Sequence, residues 1–405
     1  MREEISMQCV ILAAGEGSRM RPLTTTRPKV MLPLVGRPML EHLICGVRDA
    51  GITDIILVVG YREEAIRTWF GDGSAFGVSV RYVVQRNQLG TADALRAAEP
   101  FVDREFLMLN GDMILDVADI RAVIALPSPV MATSTTDHPE SFGVVTVADD
   151  FVTSLEEKSP APKSNIINAG AYRFDPEIFA ILKQVNLSGR GEYELTDALS
   201  EYIAGGKLRA YPLSVWMDVG YPWDMLAANE RLLAAVSEGC EGTIEENVMI
   251  HGPVRIGKGA VIKSGTYIEG PCLIGAGTTV GPNAYLRPGT TVGRNCHIGH
   301  AVEIKNSIIF DDTKIPHYNY IGDSVIGSGC NFGAGTKIAN LRHDHGNVKV
   351  GGRSTGRRKF GAVIGDNVLF GINCSVNTGS SIGSGSRIGP HVLVQGVLEN
   401  NTVVR

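Results

Sequence analysis

A segment rich in glycine and in cations follows the first apolar run of the chain. Residues 12–34 have the sequence "LAAGEGSRMRPLTTTRPKVMLPL" and combine a glycine turn at Gly15 with the basic residues Arg19 and Lys29. A glycine turn exposes backbone N–H groups, and cations beside it attract phosphate oxygens, so the segment is suited to a triphosphate. It is not a dinucleotide fingerprint, because Met20 stands where the third glycine belongs. An ordinary strand-to-helix turn with solvated basic side chains is the alternative.

Two aspartates end separate apolar runs farther along the chain. Asp112 ends "FLMLNGD", and Asp218 lies in "VWMDVG". If both runs are strands, the two carboxylates can hold a Mg²⁺ ion that keeps several waters and bridges phosphate oxygens. The alternative is that one or both aspartates are turn or helix-capping residues. Together with the glycine turn, the pair predicts a site for a magnesium-bound triphosphate.

A second group of residues that can do chemistry lies in the C-terminal half. Arg287 and Lys305 each follow an aliphatic residue and are separated by three hexads, which predicts that they stack one above the other in the repeat described below. Two stacked cations repel unless an anion neutralises them, so a phosphate is the expected ligand and a solvated pair is the alternative. Residues 314–323, "KIPHYNYIGD", are interpreted as a loop that leaves the repeat and carries His317 back over this face. Histidine can take a proton near neutral pH, so His317 is a candidate general base.

The elements that must position these residues change character along the chain. From residue 9 to about 235, β-branched runs such as "CVILA" and "DIILVVG" alternate with helical patterns such as "MLEHLICGVRDAG". This alternation predicts βαβ units around a mostly parallel sheet with helices on both faces, an α/β Rossmann-like domain over residues 1–236. Ligands of such sheets bind at the carboxyl ends of the strands.

Beyond about residue 243 the pattern has a period of six. Every sixth residue from Ile244 to Ile304 is aliphatic, and glycine follows several of these residues. A strict hexad rich in glycine is typical of a parallel β-helix, in which three hexads form one triangular coil. We therefore predict a left-handed parallel β-helix of hexapeptide repeats over residues 243–405. Two segments are expected to leave the coils: residues 314–323 and the longer stretch 340–363.

Composition excludes several classes of function. The chain has 405 residues, a net charge of −5 and 44% hydrophobic residues, so no global basicity favours nucleic acid as a partner. Apolar runs such as "IILVV" are far shorter than the roughly 20 residues that cross a bilayer. The N-terminal "MREEISMQ" lacks the apolar core of a signal peptide, and the seven cysteines include no C-x-x-C pair. These features predict a cytoplasmic protein whose partners are small molecules or copies of itself.

The motifs in combination resemble a known family. The strings "LAAGEGSRMRP", "RPKVMLPL", "QRNQLGTADAL", "NGD" and "WMDVGYPWDML" are similar to the sugar-1-phosphate nucleotidyltransferases. With the hexad half included, nearly the whole chain resembles the bifunctional enzymes that acetylate glucosamine-1-phosphate and uridylylate the product. The resemblance implies Mg²⁺ as cofactor, acetyl-CoA and UTP as co-substrates, and a homotrimer assembled through the β-helix.

The resemblance also implies roles for residues of the N-terminal half. Nucleotide phosphates are assigned to Gly15, Arg19 and Lys29, with Lys29 near the reacting α-phosphate. The pyrimidine base is assigned to Gln85, Gln88, Gly90 and Thr91. The sugar phosphate is assigned to Gly143, Glu157, Lys158 and Asn168, and Mg²⁺ to Asp112 and Asp218. Bacterial bifunctional relatives have asparagine in place of Asp218, whereas thymidylyltransferases have aspartate, so both UTP and dTTP remain candidate nucleotides.

In the C-terminal half, the resemblance implies an acetyltransferase site with His317 as general base. Its other residues are Arg287, Lys305, Tyr320 and Asn331 around the sugar phosphate, and Ala334, Asn340 and Lys349 around acetyl-CoA. Leu341 and Ile372 stand where bacterial enzymes have tyrosine and serine, and "NLRHDH" is closer to the archaeal relatives.

Two other functions remain open from the sequence. One is a nucleotidyltransferase that uses UTP or dTTP with glucose-1-phosphate and whose β-helix only assembles the oligomer. The other is a scaffold that has kept the fold without the chemistry. The sequence also leaves open whether the acceptor of the acetyl group is glucosamine-1-phosphate or galactosamine-1-phosphate.

Overall fold

The computed structural model describes residues 7–405. Most of the N-terminal segment used in the signal-peptide argument, residues 1–6, lies outside the described residues. The described chain packs as two units. One contains residues 7–16 together with Met39–Asp218, and the other contains Gly17–Pro38 together with Val219–Arg405. These units are defined by packing. The predicted domains, residues 1–236 and 243–405, are defined by order along the chain, and their bounds stay a prediction.

The described chain up to Asp218 contains the following strands. They are β1 (Gln8–Ala13), β2 (Pro33–Leu34), β3 (Arg37–Pro38), β4 (Asp54–Val59), β5 (Ser79–Val84), β6 (Phe106–Asn110), β7 (Met113–Leu115), β8 (Val130–Thr135), β9 (Gly143–Ala148), β10 (Phe151–Glu157), β11 (Ile166–Phe174), β12 (Arg209–Pro212) and β13 (Trp216–Asp218). The α-helices of the described chain are α1 (Met39–Ala50), α2 (Glu63–Phe70), α3 (Thr91–Ala97), α4 (Val117–Ala125), α5 (Ile178–Leu182), α6 (Leu195–Ala204) and α7 (Asp224–Ala234). Short 3₁₀ turns occupy Ser18–Met20, Lys29–Met31, Ser74–Phe76, Glu99–Phe101 and Pro139–Ser141.

A nine-stranded sheet forms the core of the first unit, in the order β5-β4-β1-β6-β11-β8-β12-β10-β9. The strands β5, β4, β1 and β6 are parallel to one another, and β4 is almost wholly buried, which explains its continuous apolar sequence "DIILVV". The predicted α/β architecture is confirmed.

The expectation of a mostly parallel sheet holds for these four strands and for the pairing of β12 with β8, but not for the rest of the sheet. On the other side of the sheet β11 is antiparallel to both β6 and β8, and β9 and β10 form a hairpin. Asp149 and Asp150 connect that hairpin and both have positive φ, +48° and +65°. A two-residue turn of this kind imposes antiparallel pairing. The sequence "VADDFV" therefore indicates a hairpin, which the strand periodicity by itself does not predict.

The second unit is dominated by short strands that stack as coils. They are β14 (Gly239–Cys240), β15 (Thr243–Ile244), β16 (Met249–His251), β17 (Val254–Ile256), β18 (Val261–Ile262), β19 (Tyr267–Glu269), β20 (Cys272–Ile274), β21 (Thr279–Val280), β22 (Tyr285–Leu286), β23 (Thr290–Val292), β24 (His297–His300), β25 (Glu303–Lys305), β26 (Ile308–Ile309), β27 (Lys314–His317), β28 (Tyr320–Gly322), β29 (Val325–Ile326), β30 (Lys337–Ile338), β31 (Lys349–Val350), β32 (Arg353–Ser354), β33 (Ala362–Ile364), β34 (Leu369–Phe370), β35 (Ser375–Val376), β36 (Ser380–Ile382), β37 (Arg387–Ile388), β38 (Leu393–Val394), β39 (Val397–Leu398) and β40 (Val403–Val404).

These strands form the predicted parallel β-helix. One face is the sheet β14-β17-β20-β23-β26-β29-β33-β36-β39, a second is β16-β19-β22-β25-β28-β30-β35-β38, and the third is divided into β15-β18-β21-β24-β27 and β34-β37-β40. Ile256 pairs with Ile274, and Ile262 pairs with Val280, so one coil takes the three hexads expected from the sequence. The inward aliphatic side chains form one buried core along the coils.

The prediction that residues 314–323 leave the repeat is wrong. Within this segment β27 pairs with β24 and β28 pairs with β25 in the ordinary parallel ladder. Ile298 pairs with Ile315, so this coil is one residue shorter than three hexads, because only five positions separate Ile304 from the next inward residue, Ile309. The shorter corner shifts the count of six while the strands remain stacked, because pairing depends on the inward side chain and not on the sequence interval.

The second expected departure is confirmed. Residues 339–361, called the insertion below, connect β30 to β33 and contain the antiparallel pair β31 and β32. The coils stack directly across the insertion, since Ile338 pairs with Val376 and Ile326 pairs with Ile364.

Candidate active sites

The predicted phosphate segment is a tightly closed turn in the second unit. Gly17 has a φ of +69°, and a Cβ added there would lie 2.6 Å from the Cβ of Lys29, so a larger residue would displace the lysine stem. Thr24 Oγ1 donates a hydrogen bond to the Gly17 carbonyl at 3.0 Å. Lys29 is only 6% exposed and begins the 3₁₀ turn that ends at Met31. The fold therefore brings Gly17 and Lys29 together.

Arg19 lies beside an aromatic ring of the same unit. Its guanidinium carbon is 5.1 Å from the centroid of the Tyr221 ring, and the guanidinium carbon of Arg353 is 5.0 Å from the same centroid. Contacts of this kind orient a cation without neutralising it. Gly15, the other predicted phosphate ligand, follows β1 in the first unit, and the joint site of Gly15, Arg19 and Lys29 stays a prediction.

The predicted base-binding residues share one loop between β5 and α3. Gln85 is buried, and its Nε2 donates to the carbonyl of Gly90 at 3.2 Å and to Asp93 Oδ2 at 2.8 Å. Gln88 Nε2 donates to the carbonyl of Ala14 at 2.9 Å, which ties the loop to the end of β1. Gln85 therefore holds the loop in shape, and Gln88 places it beside the residue that precedes Gly15.

The same loop packs on residues that the sequence analysis did not single out. Gly90 has a φ of +100°, and a Cβ there would lie 2.6 Å from the Tyr193 carbonyl oxygen. Thr91 Oγ1 accepts a hydrogen bond from the Leu195 backbone N–H at 3.2 Å. Gly90 and Thr91 are thus required by the packing of this loop on the segment before α6, whatever ligand the loop binds.

The two predicted metal ligands lie on neighbouring strands. β13 pairs with β7 so that Asp218 faces Met113, the residue next to Asp112. The turn before β7 is fixed to the first sheet, because the Gly111 N–H donates to the carbonyl of Leu12 at 2.9 Å. Among the described residues no group of three or more His, Cys, Asp or Glu side chains has the geometry of a metal site. Two carboxylates with oxygen ligands from water and phosphate nevertheless fit Mg²⁺, which seldom uses an all-protein cage.

Three of the predicted sugar-phosphate residues meet at the edge of the first sheet. β10 pairs with β9 so that Glu157 faces Gly143. A Cβ on Gly143 would lie 3.0 Å from Glu157 Oε2 and 3.5 Å from the Cβ of Asn168, so glycine keeps this concave edge open. The Tyr172 hydroxyl donates to Asn168 Oδ1 at 2.8 Å, and the N–H of Gly170 donates to the same oxygen at 3.1 Å. These bonds orient the Asn168 amide so that its NH₂ group can donate.

Glu157 carries the main electrostatic feature of this pocket. Burial raises the pKa of its carboxyl group, and the nearby cations Lys158 and Arg190 oppose that rise. The carboxylate lies 3.9 Å from Lys158 Nζ and 3.6 Å from the Arg190 guanidinium. Arg190 also pairs with Glu194 at 2.7 Å. Arg190 was missed from the sequence, where it lies in the polar stretch "LSGRGEYE" with no strand or helix period around it.

The predicted cation pair of the β-helix is stacked as expected. Leu286 pairs with Ile304, so Arg287 and Lys305 follow paired residues on adjacent coils. Each cation has a carboxylate partner in the chain, however: Arg287 lies 3.0 Å from Glu303, and Lys305 lies 2.9 Å from Asp323. The repulsion that suggested a bound phosphate is therefore already compensated inside the protein.

Asp323 joins several polar side chains of this face. Its side chain is only 3% exposed and accepts hydrogen bonds from Lys305 at 2.9 and 3.1 Å, from Asn306 Nδ2 at 3.1 Å, and from Asn340 Nδ2. Burial raises the pKa of Tyr320, the carboxylates Asp323 and Glu303 raise it further, and Asn340 opposes the rise. The structure thus groups the predicted residues Arg287, Lys305, Tyr320 and Asn340. The partners Glu303 and Asp323 were missed, although counting three hexads onward from Tyr285 and from Lys305 would have located both.

His317 lies at the end of β27, on the adjoining face of the β-helix. It is exposed and pairs with His300 on the preceding coil. The backbone carbonyl of His317 accepts the N–H of Gly335 at 3.1 Å, which places Ala334 and Gly335 on the next coil. Asn331 forms a bridge with Lys314 at the start of β27. The predicted residues His317, Asn331 and Ala334 therefore occupy adjacent coils.

A further histidine of this face, His297, is affected by its neighbours. The pKa of His297 is lowered first by burial and then by the charges of Lys263, His317 and Lys314.

Lys349, predicted to contact acetyl-CoA, is exposed on β31 of the insertion. No role of a predicted site residue is tested by these positions, and the assignments stay predictions.

Comparison with known proteins identifies the family. A family model for nucleotidyl transferases matches residues 8–235, a GMPPB C-terminal domain model matches residues 268–378, and a model of six bacterial transferase hexapeptide repeats matches residues 361–396. The chain is 43% identical to "Bifunctional protein GlmU" of Methanocaldococcus jannaschii over 98% of this chain and 97% of that protein. This chain belongs to the bifunctional GlmU family.

Two further proteins that this GlmU-type chain is similar to have names that state their reactions. It is 39% identical to a "bifunctional sugar-1-phosphate nucleotidylyltransferase/acetyltransferase" of Sulfurisphaera tokodaii, over 96% of this chain and 97% of that protein. Among solved structures, a putative glucose-1-phosphate thymidylyltransferase from Bacillus anthracis is 32% identical with a TM-score of 0.54, covering 58% of this chain and 98% of that chain. The resemblance stated from the motifs is confirmed. None of the helices in the described part of the chain is long and apolar enough to span a membrane.

Proposed function

We propose that the protein is a bifunctional enzyme of UDP-N-acetylglucosamine synthesis. One reaction transfers an acetyl group from acetyl-CoA to the amine of glucosamine-1-phosphate. The other transfers uridylate from UTP to N-acetylglucosamine-1-phosphate and releases pyrophosphate. The observation that carries the proposal is the alignment of both halves of this chain with bifunctional relatives over 96% to 98% of its length.

Nucleotidyl transfer requires positioning and neutralisation of charge. A phosphate oxygen of the sugar phosphate attacks the α-phosphate of the nucleotide, a new P–O bond forms, and the bond to pyrophosphate breaks. The nucleophile is already an anion, so no general base is needed. Arg19 and Lys29 neutralise phosphate charge, and Lys29 is held with little freedom by its burial against Gly17.

The carboxylate pair of the first unit fits a magnesium site. Asp112 and Asp218 would hold Mg²⁺ through hard oxygen ligands on the neighbouring strands β7 and β13. When bound, the ion supplies positive charge to the nucleotide phosphates during transfer. In this proposal Glu157 accepts hydrogen bonds from the sugar, and the Asn168 amide donates one to it.

Acetyl transfer requires a neutral amine. His317 takes a proton from the ammonium group, and the amine nitrogen attacks the thioester carbonyl to form a C–N bond. The C–S bond then breaks, and the CoA thiolate leaves with the second proton of the nitrogen as the free thiol. Arg287 and Lys305 bind the sugar phosphate in this proposal. Since each already has a carboxylate partner, the phosphate adds to an existing charge network and does not fill a vacant cationic site.

One observation favours a second candidate. The internal pairing of Arg287 with Glu303 and of Lys305 with Asp323 gives these cations a structural role that needs no ligand. This suits a nucleotidyltransferase that acts on glucose-1-phosphate with UTP or dTTP and whose β-helix serves only for assembly.

The test measures two products from the wild-type protein. Thiol release from acetyl-CoA is followed with glucosamine-1-phosphate and with galactosamine-1-phosphate as acceptor. Pyrophosphate release is followed from UTP and from dTTP with N-acetylglucosamine-1-phosphate and with glucose-1-phosphate. Both products, each dependent on its acceptor, support the bifunctional enzyme; pyrophosphate without thiol supports the second candidate, and neither product overturns both.

A homotrimer is part of the proposal. Large apolar side chains are exposed on the β-helix, among them Leu369, Ile372, Leu393, Val397 and Val403. Exposed apolar residues on successive coils favour burial against another subunit. Light scattering of the purified protein measures the mass directly, and a monomeric mass would overturn this part of the proposal. A cytoplasmic location likewise stays a prediction.

A further inference from the structure

The segment that carries Arg19 and Lys29 belongs to the same compact unit as the β-helix. Gly17–Pro38 belongs to the unit formed by Val219–Arg405. The predicted phosphate-binding cations are therefore positioned by contacts that include the β-helix. The strongest of these contacts involve Arg27, which lies two residues before Lys29.

Arg27 is held by a buried carboxylate of the β-helix. Its guanidinium lies 2.7 Å from Asp366 Oδ2 and donates to Ser328 Oγ at 3.2 Å. The hydroxyl of Thr26 donates to the same Asp366 oxygen. The Asp366 side chain is only 4% exposed, whereas that of Arg27 is 24% exposed. A charge-assisted bond to such a buried carboxylate has a fixed geometry and little screening by solvent.

The charge of Asp366 is not required by the coil that contains it. The residue two positions after an inward aliphatic occupies one corner of the β-helix, and in four successive coils it is Asp311, Ser328, Asp366 and Ser384. At this corner Asp366 Oδ1 accepts the N–H of Ser328 at 2.7 Å, and the neutral Ser384 Oγ accepts the N–H of Asp366 at 3.0 Å. A neutral oxygen is therefore sufficient for the coil, and the negative charge serves Arg27 and Thr26.

A departure from the repeat faces the same arginine. The residue after the inward aliphatic on this face is glycine in the neighbouring coils, at Gly293, Gly327 and Gly365, but it is Phe310 in one coil. Phe310 is buried, and the Arg27 guanidinium carbon lies 5.4 Å from its ring centroid. Phe310 thus deviates from the pattern of its neighbours, and both Phe310 and Asp366 contact Arg27.

The segment is also fixed beyond Lys29. Asn229 of α7 is fully buried; its Oδ1 accepts the N–H of Val35 at 3.2 Å and the hydroxyl of Thr291 at 2.8 Å, and its Nδ2 donates to the carbonyl of Gly289 at 3.0 Å. The 3₁₀ turn that begins at Lys29 therefore lies between two attachments to the β-helix.

We propose that Asp366 and Arg27 are positioning residues for nucleotidyl transfer, through which the β-helix holds Lys29 and Arg19 in their reactive arrangement. The β-helix is then a structural part of the nucleotidyltransferase as well as the carrier of the acetyltransferase site. This inference rests on the proposed nucleotidyl transfer. It adds Asp366 and Arg27 to the residues on which that activity depends, and it makes the activity of the N-terminal half depend on the β-helix, which the proposed function does not require.

The test compares Asp366→Asn with Asp311→Asn in the full-length protein. Asparagine keeps an oxygen for the coil but removes the charge that binds Arg27. We expect Asp366→Asn to lower kcat for pyrophosphate release about 10- to 100-fold, with acetyl-CoA thiol release and the KM for sugar phosphate changed less than about twofold. Asp311 is the matched control, because on the same corner it accepts the N–H of Arg294 at 2.7 Å and pairs with the Arg294 guanidinium at 2.9 Å. Asp311→Asn should change both activities less than about twofold.

Variants of Arg27 test the pair from the other side and leave the coil sequence intact. Arg27→Met should lower kcat as much as Asp366→Asn does, and Arg27→Lys should lower it less. In the double variant the two losses should not multiply, because both substitutions break one interaction. If Asp366→Asn does not fold, Arg27→Met with retained thiol release takes its place in the comparison.

The outcomes separate this inference from the function on which it rests. If the wild type releases pyrophosphate and both Asp366→Asn and Arg27→Met release it at the same rate, the inference alone is overturned. An equal loss of both activities in Arg27→Met also overturns it, since that result indicates general destabilisation. No pyrophosphate release by the wild type with any of the four nucleotide and sugar combinations overturns the proposed function and the inference together.

Discussion

At the scale of single residues, the two halves use cations in different settings. Lys29 is buried against a glycine turn, whereas Lys305 is paired with the buried carboxylate of Asp323. A buried carboxylate that loses its cation is left with an uncompensated charge, which is strongly destabilising. Substitution of Lys305 should therefore affect the β-helix itself as well as the binding of a sugar phosphate.

The exposed His317 gives the first prediction at this scale. His317→Ala should lower acetyl-CoA thiol release about 10²- to 10⁴-fold, because the ammonium of the acceptor loses its base. Pyrophosphate release should stay at the wild-type level. His300→Ala is the control, since His300 pairs with His317 on the adjacent coil. Undiminished thiol release in His317→Ala would remove this residue from the role of base.

Glu157 gives a prediction about pH. Burial raises the pKa of this carboxyl group, so it becomes protonated at a higher pH than an ordinary glutamate as the pH falls. The protonated form accepts hydrogen bonds from the sugar less well, so the KM for sugar phosphate in pyrophosphate release should increase as the pH falls through that pKa. Glu157→Gln should have a higher KM for sugar phosphate than the wild type, and this KM should not change as the pH falls.

Glu156 supplies the comparison for that measurement. It is the neighbouring carboxylate, its side chain pairs with Lys163, and hydrogen bonding to Lys163 lowers its pKa. Glu156→Gln should leave the KM profile unchanged. If the KM of Glu157→Gln still increases as the pH falls, another group is responsible for the pH dependence.

At the scale of elements, the unit of construction in the second half is the coil. Coils of three full hexads and coils that are one or two residues shorter stack in one ladder, because each inward side chain packs on the one below it. The insertion of residues 339–361 leaves the coils at a corner without interrupting the stacking of β30 on β35. Segments added or removed at corners therefore disturb the repeat little, and the insertion carries Lys349, a predicted acetyl-CoA contact.

The strand assignment of residues 320–322 can be checked by stability. Ile321 lies in β28 and is fully buried, so Ile321→Ala should lower the free energy of unfolding of the β-helix by about 2–5 kcal/mol. Lys314→Ala, at an exposed position of β27, should change it by less than about 0.5 kcal/mol. Urea unfolding followed by circular dichroism measures both. An effect of Ile321→Ala as small as that of Lys314→Ala would support the loop that was predicted from the count of six.

At the scale of the whole molecule, the proposed function assigns two chemistries to separate residue sets in one chain. Asp112→Ala should lower pyrophosphate release at least about 100-fold, because the stabilisation of phosphate charge by a metal is worth several kcal/mol. Thiol release should be retained, since Arg287, Lys305 and His317 lie in the other unit. Loss of both activities in a folded Asp112→Ala protein would contradict two independent sites.

The dependence proposed through Asp366 is asymmetric. Substitutions in the β-helix at Asp366 affect nucleotidyl transfer, whereas substitutions of the carboxylate pair in the first unit leave acetyl transfer intact. The reason is that the segment Gly17–Pro38 packs with the β-helix although it lies near the N-terminus. Deletion of residues 243–405 is therefore a poor way to isolate the nucleotidyltransferase.

The sequence alone was sufficient for the features that depend on local spacing. The period of six predicts the coils, and the interval of three hexads between Arg287 and Lys305 predicts their stacking, because a repeat converts sequence distance directly into position. The alternation of apolar runs predicts the α/β half, and the cluster of motifs identifies the family. These signals need no knowledge of which distant residues meet.

The tertiary structure decided the features that depend on contacts between distant parts of the chain. Arg27 and Asp366 are 339 positions apart, and neither has a local pattern that indicates the other. The same holds for Gly90 against Tyr193, and for the short corner after Ile304 that turned a predicted loop into β27. Local spacing specifies what a segment can form, whereas the packing of side chains across the fold determines which segments hold one another.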